Sequence, residues 1–323
     1  MRSAALTLAC ALAGICVGSP AQAQGFPNKA VRILVPFGPG TGTDIMARII
    51  AEGLTEQLKQ SVIVENREGA GGVVGTVAVR NAPADGYTVL AISNAFLIAP
   101  QLAKAAPYDP IRDFTPVAKV AYVPLTIVVG ASSPFKTMKD LIDYMKANPG
   151  KASFATSGKG AQSQLEVEYI KQVFGLSAVD VPYKSTASAV ADTMTNTVAF
   201  YMPGFGAMSS NIAAGKLRAL AIGAPQRLPN VPDVPTFIEA TGIRNYNPAA
   251  WLGYTVAAGT PADSVSRLEE GIIRTTSVPA VREKIAGASA YVSVLNSRDY
   301  GAEMRAESEK WGKLINELGL KTD

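Results

Sequence analysis

Short runs rich in Val, Ile and Tyr alternate with stretches of helical periodicity along most of this chain. That alternation is its strongest constraint, because it demands strands covered by crossover helices: an α/β fold with largely parallel sheets. Residues 30–37 read as a strand, and 44–58 as a helix with Met46, Ile49, Ile50, Leu54 and Leu58 on one face. Further strands are predicted at 62–64, 87–92, 125–129, 152–155, 179–183, 198–202, 217–222 and 254–257. Helices are predicted at 138–147, 163–174, 188–195, 262–276 and 298–318, with a short one after the glycine-rich segment 66–75. No internal repeat or low-complexity segment interrupts the pattern.

Residues 1–23 read as an export leader. Arg2 supplies a positive start, 4–17 an apolar run, and Ala21-Gln22-Ala23 a small-residue cleavage site. The run is too short for a membrane anchor, and Ile15 before Cys16 spoils a lipoprotein signal. A periplasmic protein cleaved after Ala23 is expected. Roughly 300 residues then remain, more than one core usually takes, so two lobes are expected. No linker divides the chain, which makes the lobes discontinuous: 24–124 with 251–323, and 125–250. The crossings are expected near Leu125 and Trp251, with Pro124 and Pro248 limiting the hinge.

The chain has no histidine, and its two cysteines, Cys10 and Cys16, lie inside the leader. The mature protein therefore has no Ser-His-Asp triad, Cys-His pair or His/Cys zinc site. No metal and no cofactor is expected. The net charge of +4 is scattered, with no basic run of the kind that binds nucleic acid. Binding rather than catalysis is the expected work.

Three loops repeat one design, in which a strand ends, small or hydroxyl residues follow, and a helix begins. The first is Phe37-Gly38-Pro39-Gly40-Thr41-Gly42-Thr43-Asp44, whose Thr41 and Asp44 fit a capping box. The second runs from Thr156-Ser157-Gly158-Lys159-Gly160 through Ala161 and Gln162, and Ser163 with Glu166 gives a second capping-box match. The third is Tyr183-Lys184-Ser185-Thr186-Ala187-Ser188. Helix starts offer unpaired N–H donors and a positive dipole end, which suit anions. Neither glycine loop fits a dinucleotide or P-loop pattern, and Ser157 is not in a nucleophile elbow. Asp44 and Glu65 are spaced for capping and strand-end roles rather than as a catalytic pair. Arg48, one turn after Asp44, is expected to pair with it, and Arg67 to sit in a loop braced by Glu65. Lys159 and Lys184 are placed to steer an anion at long range.

Several stretches resemble one family. They are Val35-Pro36-Phe37 with Thr43-Asp44 and Ala47-Arg48; Val64-Glu65-Asn66-Arg67 with Gly69-Ala70-Gly71-Gly72; Asp85-Gly86-Tyr87-Thr88; and Tyr108-Asp109-Pro110. Val181-Pro182-Tyr183-Lys184, the stretch from Gly215 to Ala221, Pro232-Asp233-Val234-Pro235-Thr236, and Trp251-x-Gly253 with Ala258-Gly259-Thr260-Pro261 continue the match. In these the chain resembles the Bug-type extracytoplasmic solute receptors, the binding components of tripartite tricarboxylate transporters. The resemblance implies a two-lobed, type II periplasmic-binding-protein fold that closes on a small organic acid in the cleft between lobes. It implies integral membrane transporter subunits as partners, and a monomer. It also implies a carboxylate held by strand-end loops and ordered water, often without arginine. Gly40, Thr41, Gly42, Thr43, Asp44, Thr156, Ser157, Gly158, Gly160, Gln162, Ser185 and Thr186 are the expected ligand-binding residues. Three positions depart from the family: Gln164 stands where a histidine is common, Ser185 where a glycine is usual, and Tyr201-Met202-Pro203-Gly204-Phe205-Gly206 where a stretch with a leading acidic residue is common. Met202 and Phe205 are either core or an apolar wall of the cleft. A sensor that presents its ligand-bound form to a membrane signalling partner remains the alternative reading.

Overall fold

The computed structural model describes residues 25–103, 107–156, 158, 161–244 and 246–321. The expected leader, with Cys10 and Cys16, lies outside these residues, as do Ser157, Lys159 and Gly160.

In chain order come β1 (Val31–Val35), α1 (Gly42–Leu58), β2 (Val62–Asn66), α2 (Val73–Arg80), β3 (Thr88–Ser93) and α3 (Ala95–Leu102). Next are β4 (Phe114–Pro124), β5 (Thr126–Gly130), α4 (Met138–Ala147), β6 (Ala152–Thr156), α5 (Gln162–Phe174), β7 (Ala178–Pro182) and α6 (Thr186–Met194). Then follow β8 (Phe200–Tyr201), α7 (Phe205–Ala213), β9 (Leu217–Ile222) and α8 (Phe237–Thr241). The chain ends with β10 (Ala249–Ala257), α9 (Ala262–Ser277), α10 (Pro279–Gly287), β11 (Tyr291–Leu295) and α11 (Ser297–Glu317).

These strands form two sheets, a six-stranded one ordered β2-β1-β3-β10-β4-β11 and a five-stranded one ordered β7-β6-β8-β5-β9. Both are mixed, not largely parallel. β1 runs parallel to β2 and β3, and β6 to β7 and β8. The remaining pairs are antiparallel. The cause is the connectivity: β4 carries the chain out of the six-stranded half and its neighbour β10 brings it back, so the two must oppose each other.

Side-chain alternation builds two cores on each sheet. On β1, Val31, Ile33 and Val35 pack under Met46, Ile50 and Leu54 of α1 and Leu268 and Ile272 of α9. Leu34 points the other way, joining Leu90, Ile92, Phe96 and Tyr300. In the five-stranded half, Phe154 and Phe200 stack at 5.5 Å beneath Leu141, Met145 and Ile170. Met202, fully buried, belongs to that core, and Phe205 packs with Ile222, Ala224 and Leu228. Both residues are core, and the apolar-wall reading is set aside.

The crossings knit the two sheets together. Leu125 lies between β4 and β5; its N–H donates to the Pro248 carbonyl at 3.0 Å, and its carbonyl accepts from the Gly223 N–H at 2.8 Å. β10 starts at Ala249, opposite Pro124, so the return crossing falls at Pro248 and Trp251 is a buried residue inside the strand. Gly223 has no room for a side chain, because a Cβ there would stand 1.7 Å from the Pro248 carbonyl oxygen. α11 adds a further bridge: Tyr300 and Met304 pack on the six-stranded sheet, while Trp311, Leu314 and Ile315 pack with Leu165 of α5. Among the described residues no helix is long and apolar enough to cross a membrane.

Candidate ligand-binding site

Parallel strands decide where the loops open. β3 ends at Ser93, opposite Leu252 near the start of β10, so the carboxyl ends of β1, β2 and β3 point to the crossings. β8 ends beside the crossing too, since Thr126 donates to the Pro203 carbonyl at 2.9 Å and Leu125 pairs with Gly204. β6 and β7 run the same way as β8. The loops that lead into α1, α5 and α6 therefore open toward the junction from both halves, the place where α/β sheets usually take ligands.

The first loop is tightly braced. Thr41 is the N-cap of α1: its hydroxyl donates to the Gly38 carbonyl at 3.0 Å and accepts the Asp44 N–H at 3.4 Å. The other half of the expected capping box is displaced by one residue, because the Asp44 carboxylate accepts from the Gly40 N–H at 2.9 Å. The same carboxylate accepts from Arg48 at 3.1 and 2.9 Å and from the Asn66 amide at 2.8 Å. Asn66 also donates to the Phe37 carbonyl at 2.9 Å, tying the ends of β1 and β2 together. Burial would raise the Asp44 carboxyl, but Arg48, the Gly40 N–H and Asn66 together hold it below the usual carboxylate range. Arg48 thus pairs as expected. Glu65 instead meets Arg32 at 3.5 Å, so it is not a brace for the Arg67 loop.

The loops of the other half are held by a different carboxylate, Asp180. Thr156 donates to the Asp180 carboxylate at 2.6 Å and accepts the Gly158 N–H at 3.2 Å. Gly158 has φ +112°, a conformation side chains resist. α5 starts at Gln162 with Ala161 as its N-cap and no side-chain cap. The capping box expected from Ser163 and Glu166 does not form, because Glu166 is buried and bonded elsewhere: it accepts from the Tyr246 hydroxyl at 3.0 Å and pairs with Lys310 at 3.4 Å. Gln162 reaches across to the other half, donating to the Ala249 carbonyl at 2.8 Å. Gln164, at the family's histidine position, donates to Asp180 at 2.7 Å. Ser185 caps α6 by accepting the Ser188 N–H at 3.2 Å. The Thr186 hydroxyl pairs with the Tyr201 phenol, which burial pushes above its usual range.

The hydroxyls of Thr41, Thr156, Ser185 and Thr186 are thus engaged in holding the loops. Backbone donors are left over. Among the described residues, the N–H groups of Gly42, Thr43, Gln162, Ser163, Thr186 and Ala187 meet no protein acceptor. Asn66 and Asp180 are the supports that sequence reasoning did not identify; Asn66 lay within a quoted motif, whereas nothing local marked Asp180. A cavity of about 450 Å³ also lies at the junction, lined by Glu166, Tyr246, Trp251 and α11 but by none of the expected ligand residues.

Residues 46–320 match the model of the tripartite tricarboxylate transporter family receptor, TctC. This chain belongs to that family. The TctC receptors are solute-binding proteins rather than enzymes, and the protein BugT of Bordetella pertussis is 33% identical over 94% of each chain. The structure of R. palustris Rpa4515 with adipate is 30% identical with a TM-score of 0.73, covering 91% of this chain and 98% of its own. MatC of Rhodopseudomonas palustris, solved with malate, is 26% identical with a TM-score of 0.70, covering 90% and 100%. The two-lobed periplasmic-binding-protein fold is shared with the periplasmic binding protein BugD, 32% identical with a TM-score of 0.71 over 92% of this chain and 100% of its own.

Proposed function

We propose that this chain is an exported receptor that captures a small organic carboxylate between the starts of α1, α5 and α6. It hands the acid to the integral membrane subunits of a tripartite tricarboxylate-type transporter. The observation that carries the reading is the set of unpaired backbone donors at these helix starts, which open toward one junction from both halves. Hydrogen bonds to a charged acceptor contribute about 1.5–3 kcal/mol each. Four or five, less ordering costs, reach the roughly 8 kcal/mol of a micromolar complex without an arginine clamp. The donors come from separate lobes, that of α1 from the part before Leu125 and those of α5 and α6 from the part between the crossings at Leu125 and Pro248, so binding free energy also draws the lobes together as a monomer closes on its ligand. The leader 1–23, cleaved after Ala23, directs the protein to the periplasm.

The ligands of two relatives, adipate and malate, make C4 to C6 dicarboxylates the first candidates. Ser157 and Gly160 complete the site in this reading, together with Gly40 to Asp44, Thr156, Gly158, Gln162, Ser185 and Thr186. Calorimetric titration of the mature protein against dicarboxylates, citrate, acidic amino acids and benzene carboxylates tests it. At least one should bind, and an acid at 100 times its Kd should add about 2.7 kcal/mol of stability. No binding or thermal shift from any of these classes would sink the reading.

A further inference from the structure

The junction cavity is walled by both halves, with Glu166 and Tyr246 on one side and Trp251, Glu303, Glu307 and Lys310 on the other. Charge within it is unevenly compensated. Lys119 of β4 pairs with Glu303. Lys310 pairs with Glu166 at 3.4 Å, and its ammonium stands 4.0 to 5.3 Å from the ring centres of Trp311, Tyr169 and Tyr246. Glu307 has no ion-pair partner among the described residues. Its Oε2 accepts from the Trp251 indole at 2.6 Å and the Asn94 amide at 3.1 Å, both neutral donors. With the other two carboxylates each matched to a lysine, the cavity is neutral only when Glu307 carries a proton.

We propose that Glu307 is a proton-operated catch between the two lobes. Protonated, it favours the junction described here; ionised, it leaves an uncompensated charge facing Glu166 of the opposite lobe, and the junction loosens to let water in. The inference does not depend on what the loops bind.

Burial pushes the Glu307 carboxyl up to about 7; the Trp251 N–H opposes this, Glu166 and Glu303 reinforce it, and Lys310 draws it back. The phenols packed around it do not compete near neutrality: burial holds Tyr246 and Tyr300 far above their usual range and raises Tyr122. In a chain without histidine, Glu307 takes the part that histidine usually plays as a switch near neutral pH. The sign follows from linkage. The junction described here binds the proton more tightly than a solvated carboxyl does, so acid favours it. That preference declines as pH rises from the ordinary carboxyl range to about 7 and changes no further above it.

Residues 24–323 contain no cysteine, so one label on each half can be placed cleanly, with E56C on α1 and K146C on α4, both exposed. Label-to-label distances in the ligand-free protein should change between pH 5 and pH 8. In E307Q, whose amide oxygen still accepts from Trp251 and Asn94, the distance should stay at the pH 5 value throughout. In E303Q the change should move to lower pH, since one repelling carboxylate is gone. A distance that does not change with pH, a change that survives in E307Q, or an unmoved midpoint in E303Q would each overturn the catch.

Discussion

The starts of α1 and α5 occupy matching places in the two halves, yet they are held differently. At α1, one buried carboxylate, Asp44, gathers hydrogen bonds from Gly40, Arg48 and Asn66, and a threonine caps the helix. At α5, the N-cap is Ala161, which supplies no side-chain acceptor. In the proposed site, the α1 wall is therefore set before ligand arrives, and the α5 wall is left for the ligand to complete. A capped wall needs little ordering on binding, whereas the uncapped one keeps its donors available.

The comparison breaks first at Asp44. Asp44→Ala strands the Asn66 amide, the Gly40 N–H and the guanidinium of half-exposed Arg48, and should lower stability by roughly 2–3 kcal/mol in chemical denaturation. A loss below about 0.5 kcal/mol would mean the α1 loop is not set by this carboxylate. The pH dependence has a definite sign. Because the Asp44 carboxyl is held below its ordinary value, its stabilisation is present above about pH 4 and is lost as pH falls through its own lower value. Asp44→Asn should accordingly flatten the acid limb of the stability profile.

Thr41→Ala tests the same wall more gently. Loss of the cap oxygen should cost about 1 kcal/mol of stability, and an unchanged denaturation midpoint would show that Thr41 is not needed as a cap. The smallest effect comes from sharpening the contrast at α5. Ala161→Ser supplies the missing cap acceptor, so stability should rise by roughly 0.5–1 kcal/mol. Ligand affinity should fall several-fold, because the new hydroxyl competes for the same N–H groups. Affinity that holds or improves would indicate that the α5 start does not meet the ligand.

What was legible in the sequence was local. α4 matches its predicted span because Thr137 and Asp140 form a full capping box ahead of an amphipathic run, and β9 matches too. Thr41 was readable as a cap because a cap needs only its next few residues, whereas Ser185 was read as loop because α6 starts at Thr186, two residues before its predicted start. β4 was missed: Pro116 sits at a register shift against β10, and proline at a bulge disguises a strand. α3 was missed as well, with Pro100 inside it. The capping box at Ser163 failed because Glu166 found partners 80 and 144 residues away. Asn66 to Asp44 and Glu307 to Asn94 are likewise contacts that only the folded topology brings together.

Amide chemical shifts test the central claim most directly. With ¹⁵N-labelled mature protein titrated with a dicarboxylate that calorimetry shows to bind, the amides of Gly42, Thr43, Gln162, Ser163 and Thr186 should move downfield together. Those changes should saturate with the calorimetric Kd, as N–H groups gain a charged acceptor. Shifts confined to Glu166, Trp251 and Glu307 at the junction cavity, with the helix starts unmoved, would contradict the account.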